Sequence, residues 1–157
     1  ALGSIKHRSY DKLEANDERA VVLQICDYLD HSGKKVLTEK RKITFRAGKK
    51  FRSIDFDQDL IASAGDVFFE DKKDAGLSIR VPTSMDVTSE KGGTIVNSEG
   101  DRDKAAWSKN AKWCDYNGPV GDERLGIAIF NHPSSFRHPH RFSPNHPTND
   151  SRNDRGK

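Results

Sequence analysis

Four of the six histidines of this 157-residue chain, at positions 132, 138, 140 and 146, lie between 132 and 147 together with four of its six prolines. His138 and His140 are two residues apart, so on extended backbone they share a face. With His132 they form a set that can chelate one metal ion and leave a coordination position open, as a metal-dependent oxidoreductase requires, with Asp115 an alternative third ligand. The same loop also suits acid–base work on a sugar, because imidazole titrates near neutrality. There His132 or His138 would exchange a proton with Glu99 or Asp115, Trp107, Trp113 or Tyr116 would offer an aromatic face to a pyranose ring, and Arg137 would hold a hydroxyl or carboxylate. Plainer readings stand beside both. Loop histidines flanked by proline are ordinarily solvated or hydrogen-bonded, and tryptophan is ordinarily mostly buried. Cys26 and Cys114 permit one disulfide without requiring it, no serine sits in a nucleophile elbow, and phosphate loops and dinucleotide fingerprints are absent.

These residues need elements to hold them. Glu123 to Phe130 reads as a buried strand that delivers the loop, and residues preceding Pro133 and Pro139 are pushed towards extended geometry, which should turn His132 and His138 outward. Ala111 to Tyr116 reads as its neighbour, ended by Asn117-Gly118-Pro119. Upstream, Ala20 to Tyr28 carries apolar residues on both faces, and Ile5 to Tyr10 is a shorter strand before a charged connection from Asp11 to Arg19. Val36 to Phe45 and Ser53 to Leu60 alternate apolar with charged residues. Closing them through Gly48-Lys49 sets Ile43 opposite Ile54 and Leu37 opposite Leu60, with Lys42 facing Asp55 and Lys40 facing Asp57. The lysines and arginines of 34–52 are therefore read as a solvated charge ladder and not as a nucleic-acid surface. Val67 to Phe69, Gly76 to Val81, Met85 to Thr88 and Thr94 to Asn97 are further strands, and 101–112 is a loop or a single helical turn. With no amphipathic helix, the fold class is all-β, an antiparallel β-sandwich or supersandwich of twisted sheets.

An apolar fraction of 33% is low for a globular chain, as is the mean hydropathy of −0.84, so the core is thin or shared. The longest apolar runs, Ala20–Leu23 and Ile127–Phe130, fall far short of the roughly 20 residues of a spanning helix, which excludes a helical membrane protein. Residues 1–140 are expected to form the β-sandwich domain. Residues 141–157, with Phe142 the only large apolar side chain, are expected to form a polar tail. The compartment is left open, and the sequence names no cofactor.

Three motifs carry a resemblance: Ile95-Val96-Asn97-Ser98-Glu99-Gly100, Trp113-Cys114-Asp115-Tyr116-Asn117-Gly118-Pro119, and Gly126 to Pro133 with Arg137-His138-Pro139. Over about residues 3–140 the chain resembles the later half of a soluble bacterial family of unknown function whose members are commonly labelled methane oxygenase. The label implies an oxygenase, but the membrane methane monooxygenase is a helical membrane protein that this polar chain cannot be. What the resemblance implies instead is a mutarotase-related β-supersandwich with a carbohydrate ligand, or a non-catalytic binding module on the same scaffold. The chain departs at Asn131, where the family has Asp before His-Pro, and after Pro139, where the family continues into further strands. Seen as half a family member, it should expose apolar sheet surface or strand edges, covered by a second copy or by the family's other half.

Overall fold

The computed structural model describes residues 3–70 and 76–142, and the chain divides after Glu70 into two compact units. It is all-β, of the β-sandwich-like class, with antiparallel sheets; the helical elements among the described residues are three single 3-10 turns. No helix among those residues is long and apolar enough to cross a membrane. Cys26 and Cys114 are free, buried thiols.

The first unit is one four-stranded sheet in sequence order, β1 (Ser4–Ala15), β2 (Arg19–Leu29), β3 (Lys35–Ala47) and β4 (Arg52–Ile61). Its turns are built by side chains that substitute for strand partners. Asn16 Oδ1 accepts from the backbone N–H of Glu18 and Arg19 between β1 and β2. Asp30 Oδ1 does the same for Ser32 and Lys34 between β2 and β3, a general property of Asn and Asp in turns. β1 is longer than the sequence suggests, running through Asp11 to Ala15 with register shifts after His7 and after Tyr10. These bulges absorb residues that break the alternation, so the charged stretch remains paired.

The β3–β4 hairpin corrects the expected register. Its connection is the four-residue Gly48–Phe51 loop, closed by Gly48 N–H donating to the Phe51 carbonyl at 3.0 Å, not a two-residue turn. Ile43 consequently meets Phe56, Phe45 meets Ile54, Lys42 meets Asp57 and Lys40 meets Asp59, while Leu60 lies opposite Glu39 instead of Leu37. A slip of two residues keeps every side chain on its face, because the pleat repeats every two. The charge ladder therefore survives with new partners. Lys42 Nζ lies 3.8 Å from Asp57 and Arg46 pairs with Asp55; on the same face Val21, Ile25, Thr38 and Thr44 are buried.

The opposite face of the same sheet is mixed. Leu13, Phe45, Ile54 and Phe56 form an apolar end that is 40–66% exposed, the open sheet surface expected from the sequence. Further along, the same face changes to Tyr10, Gln24, Arg41 and Gln58, then to His7, Cys26, Glu39 and Leu60.

The second unit contains a three-stranded sheet ordered β5 (Thr94–Asn97), β7 (Trp113–Val120), β8 (Glu123–Phe130), and a pair of short strands, β6 (Lys109–Ala111) and β9 (His140–Phe142). Met85 to Thr88, expected as a strand, is instead part of two 3-10 turns. Pro82 precedes the first, and Asp86 Oδ1 accepts from both the N–H and the hydroxyl of Thr88, so local side-chain bonding outcompetes β-propensity. Gly76 to Val81 likewise forms no strand. Ile95, Ala106 and Cys114 make the core, with Val87, Tyr116 and Phe142 packed against it. Arg141 and Phe142, the first residues of the expected tail, thus belong to strand β9, opposite Asn110 and Lys109; positions 143–157 lie outside the described residues.

Candidate functional site

β7 and β8 form a hairpin through the two-residue turn Gly121-Asp122, where Gly121 has φ +61°, the positive value that such turns demand. The strand therefore continues to Val120 and is not ended by Asn117-Gly118-Pro119. Pro119 lies opposite Arg124 and beyond Thr94, where β5 begins on the other side, so its missing N–H removes no bond to β5. Cross-strand pairing then assigns the faces. Ile95, Cys114 and Tyr116 turn to the core, whereas Val96, Trp113, Asp115, Ala128 and Phe130 turn outward and line a shallow concavity of about 390 Å3.

Trp113 lies directly opposite Phe130, ring centroids 6.5 Å apart and planes tilted by 44°. Phe130 is 73% exposed, and Trp113 is half-buried. Asp115 is one pleat inward, opposite Ala128, and its carboxylate forms no hydrogen bond or ion pair among the described residues. Beside it Gly126 leaves the floor open; a Cβ there would stand 3.4 Å from Asp115 Oδ1 and 3.3 Å from Asn117 Nδ2. Two aromatic faces and an unspent carboxylate thus share one open surface.

Glu99 reaches the same end of the sheet by a different route. Asn97 is 2% exposed. Its Oδ1 accepts from the N–H groups of Glu99 and Asp101, and its Nδ2 donates to Asp101. The Asn97-Ser98-Glu99-Gly100 motif is therefore a side-chain-built turn. Ser98 ties it to β7 by donating its N–H to the Trp113 carbonyl, while its hydroxyl accepts from Lys112 N–H and donates to Glu99 Oε1.

The histidine loop folds more tightly than proline spacing alone suggests. Asn131 N–H donates to the Lys112 carbonyl, and two turns follow, closed from Ser135 to His132 and from His138 to Ser135. His132 Nδ1 lies 2.7 Å from Ser134 Oγ and accepts from Ser134 N–H at 3.2 Å. That assigns its proton to Nε2. Arg137 lies over the Phe136 ring, 5.1 Å from its centroid, with φ +60°. His138 Nδ1 is buried without a partner among the described residues. His140 Nδ1 is 3.2 Å from the Arg141 carbonyl.

Several sequence-derived partnerships are therefore not formed. Neither Asp115 nor Glu99 bonds to His132 or His138; Glu99 is held by Ser98, and His132 has folded back on Ser134. No three His, Cys, Asp or Glu side chains among the described residues converge as metal ligands, so His132, His138 and His140 do not form the three-ligand set that the sequence suggests. Tyr116 lies on the core face, where burial pushes its hydroxyl pKa up. Burial also raises the Cys114 thiol, which removes it further from nucleophilic chemistry.

Sequence reasoning missed a second polar assembly, on the mixed face of the first unit. Glu39 has no exposed surface. It receives a two-pronged contact from Arg41, at 2.9 and 2.7 Å, and further bonds from Gln58 at 2.6 Å and the Tyr28 hydroxyl at 3.2 Å. Burial alone would raise its pKa; the bonds from Arg41, Gln58 and Tyr28 together outweigh burial and hold it below the usual carboxylate value. The same charge partnership raises Arg41. The signal was present in the alternation Leu37, Glu39, Arg41, Ile43, Phe45, where opposite charges occupy apolar-phase positions two residues apart. A larger concavity of about 440 Å3 lies at the loop end of that sheet, among Ala20, Phe45, Arg52 and Ile54. It contains none of the residues singled out by chemistry.

No curated protein and no solved structure matches the chain. The model of a family of unknown function, DUF6807, matches residues 1–151, and the chain belongs to that family.

Proposed function

We propose that the protein binds carbohydrate without catalysis, seating a sugar ring on the outer face of the β5-β7-β8 sheet. One observation carries this reading: Trp113 and Phe130 stand side by side on an open surface next to an Asp115 carboxylate that the described residues leave unpaired. Aromatic faces match the C–H faces of a pyranose, and a carboxylate accepts hydroxyl protons in charge-assisted hydrogen bonds. The loop carrying His132, Arg137 and His138 leaves β8 immediately after Phe130 and would supply further hydroxyl contacts at the rim. Among the described residues neither Asp115 nor Glu99 pairs with a loop imidazole, which favours binding over acid–base processing. The resemblance of the three motifs to a mutarotase-related family agrees with a sugar ligand.

Trp113 fluorescence, isolated by Trp107→Phe, tests the proposal directly. Titration with a panel of methyl glycosides should give a saturable change, and Asp115→Ala should weaken binding by about tenfold, the equivalent of one charged hydrogen bond. An unchanged spectrum across the panel, or equal affinity in Asp115→Ala, would sink it.

A further inference from the structure

The mixed face of the four-stranded sheet carries a row of hydrogen-bonding side chains that crosses every strand. Tyr10 lies opposite Gln24, Gln24 opposite Arg41, and Arg41 opposite Gln58. With strands spaced 4.7–4.9 Å apart the row is about 14 Å long. One side of it is flanked by the apolar row Leu13, Val22, Ile43 and Phe56.

The side chains of the row are held in place from the other flank. Glu39 grips Arg41 through Nε and Nη2 and accepts from Gln58 Nε2. His7 Nδ1 accepts from Gln24 Nε2 at 3.1 Å, and its ring stacks on Tyr10 at 4.3 Å between centroids. Each grip uses one end of a side chain and leaves the other end unspent. The Oε1 atoms of Gln24 and Gln58 and the Tyr10 hydroxyl have no partner among the described residues. Side chains already fixed in rotamer lose less entropy on binding, so this is a pre-organised line of donors and acceptors.

Charge identifies the ligand class. The Arg41 cation is matched by Glu39 at 2.7 Å, and the other three members of the row are neutral. An anion would have to compete with a buried carboxylate already in two-pronged contact, whereas a neutral ligand needs only to replace water. We infer that the row is a binding site for a neutral, extended polyhydroxylated chain, an oligosaccharide. Its hydroxyls meet Tyr10, Gln24, Arg41 and Gln58, and its C–H surface lies on Ile43 and Phe56. The site stands on a different sheet from the Trp113 surface and does not depend on it.

Calorimetric titration of the full chain with cellohexaose, maltohexaose, glucose and hexagalacturonate tests the assignment. At least one neutral hexasaccharide should bind saturably, about tenfold or more tighter than glucose or the anionic chain. Tyr10→Ala and Gln24→Ala, both outside the buried carboxylate's contacts, should each weaken it by about tenfold, while Trp113→Ala leaves it unchanged. The site is overturned if neither neutral hexasaccharide binds, if the galacturonate binds tighter, or if affinity is indifferent to Tyr10→Ala and Gln24→Ala. Loss in Trp113→Ala alone would also overturn it and assign the sugar to the other sheet.

Discussion

At the scale of single residues, the contrast between Glu39 and Asp115 separates a structural carboxylate from an available one. Glu39 is sealed by Arg41, Gln58 and Tyr28, whereas Asp115 faces open space over Gly126. Removing one partner of a buried pair leaves the other charge desolvated, typically at 3–5 kcal/mol. Arg41 retains 24% of its side-chain exposure, which places the cost at the low end. Glu39→Ala should therefore destabilise the first unit by about 3 kcal/mol in urea unfolding, while Asp115→Ala stays within about 0.5 kcal/mol of wild type. Equal effects from the two would show that the sheet face is not organised around Glu39. The functional half of this distinction was only partly legible. Trp113 and Asp115 could be picked out by type, but Glu39 and Arg41 were hidden among lysines and aspartates whose ladder explained the charge without them.

At the scale of elements, alternation of apolar with charged residues identified β3 and β4, and apolar runs marked β2 and β8. It could not choose between a two-residue and a four-residue loop at Gly48, since both keep the same faces inward. It also failed at Met85 to Thr88, where Asp86 bonds its own neighbours, and at β9, where one phenylalanine among polar residues completes a core. The β7 strand shows what local chemistry cannot announce. Gly93 and Gly118 close around Met85, which is 1% exposed. A Cβ on Gly118 would stand 2.7 Å from Met85 Cα, and one on Gly93 would overlap the Met85 carbonyl. Because these are backbone contacts, no side-chain rotation relieves them. Gly118→Ala should destabilise the second unit by about 1–3 kcal/mol, read as a lower urea midpoint with an unchanged slope. A neutral outcome would mean that Met85 is not clamped between Gly93 and Gly118.

At the scale of the whole molecule, a thin core gives electrostatics an unusually large share in stability. The described buried set includes Thr38, Glu39, Thr44 and Asn97 beside only nine hydrophobic residues, so fewer apolar contacts offset the ordering entropy. Among the described residues four carboxylates are held below their ordinary pKa values. Lys12 bonds Glu14, Lys35 bonds Asp27, the Ser32 hydroxyl bonds Asp30, and the bonds to Glu39 outweigh its burial. A carboxylate whose folded pKa is depressed contributes stability that is complete above its unfolded value, about 4. That contribution falls as the pH drops through the folded value, because the unfolded chain takes up the proton first. All four belong to the first unit, so acid should act there. The midpoint for unfolding that unit, followed by hydrogen exchange at β2 and β3 amides, should be level from pH 7 to about 5 and then decline steeply below about 4. Glu39→Gln removes one of the four groups and should flatten the acid limb while lowering the neutral plateau. A midpoint that rises on acidification would show that repulsion among these carboxylates, and not their pairing, governs the sheet.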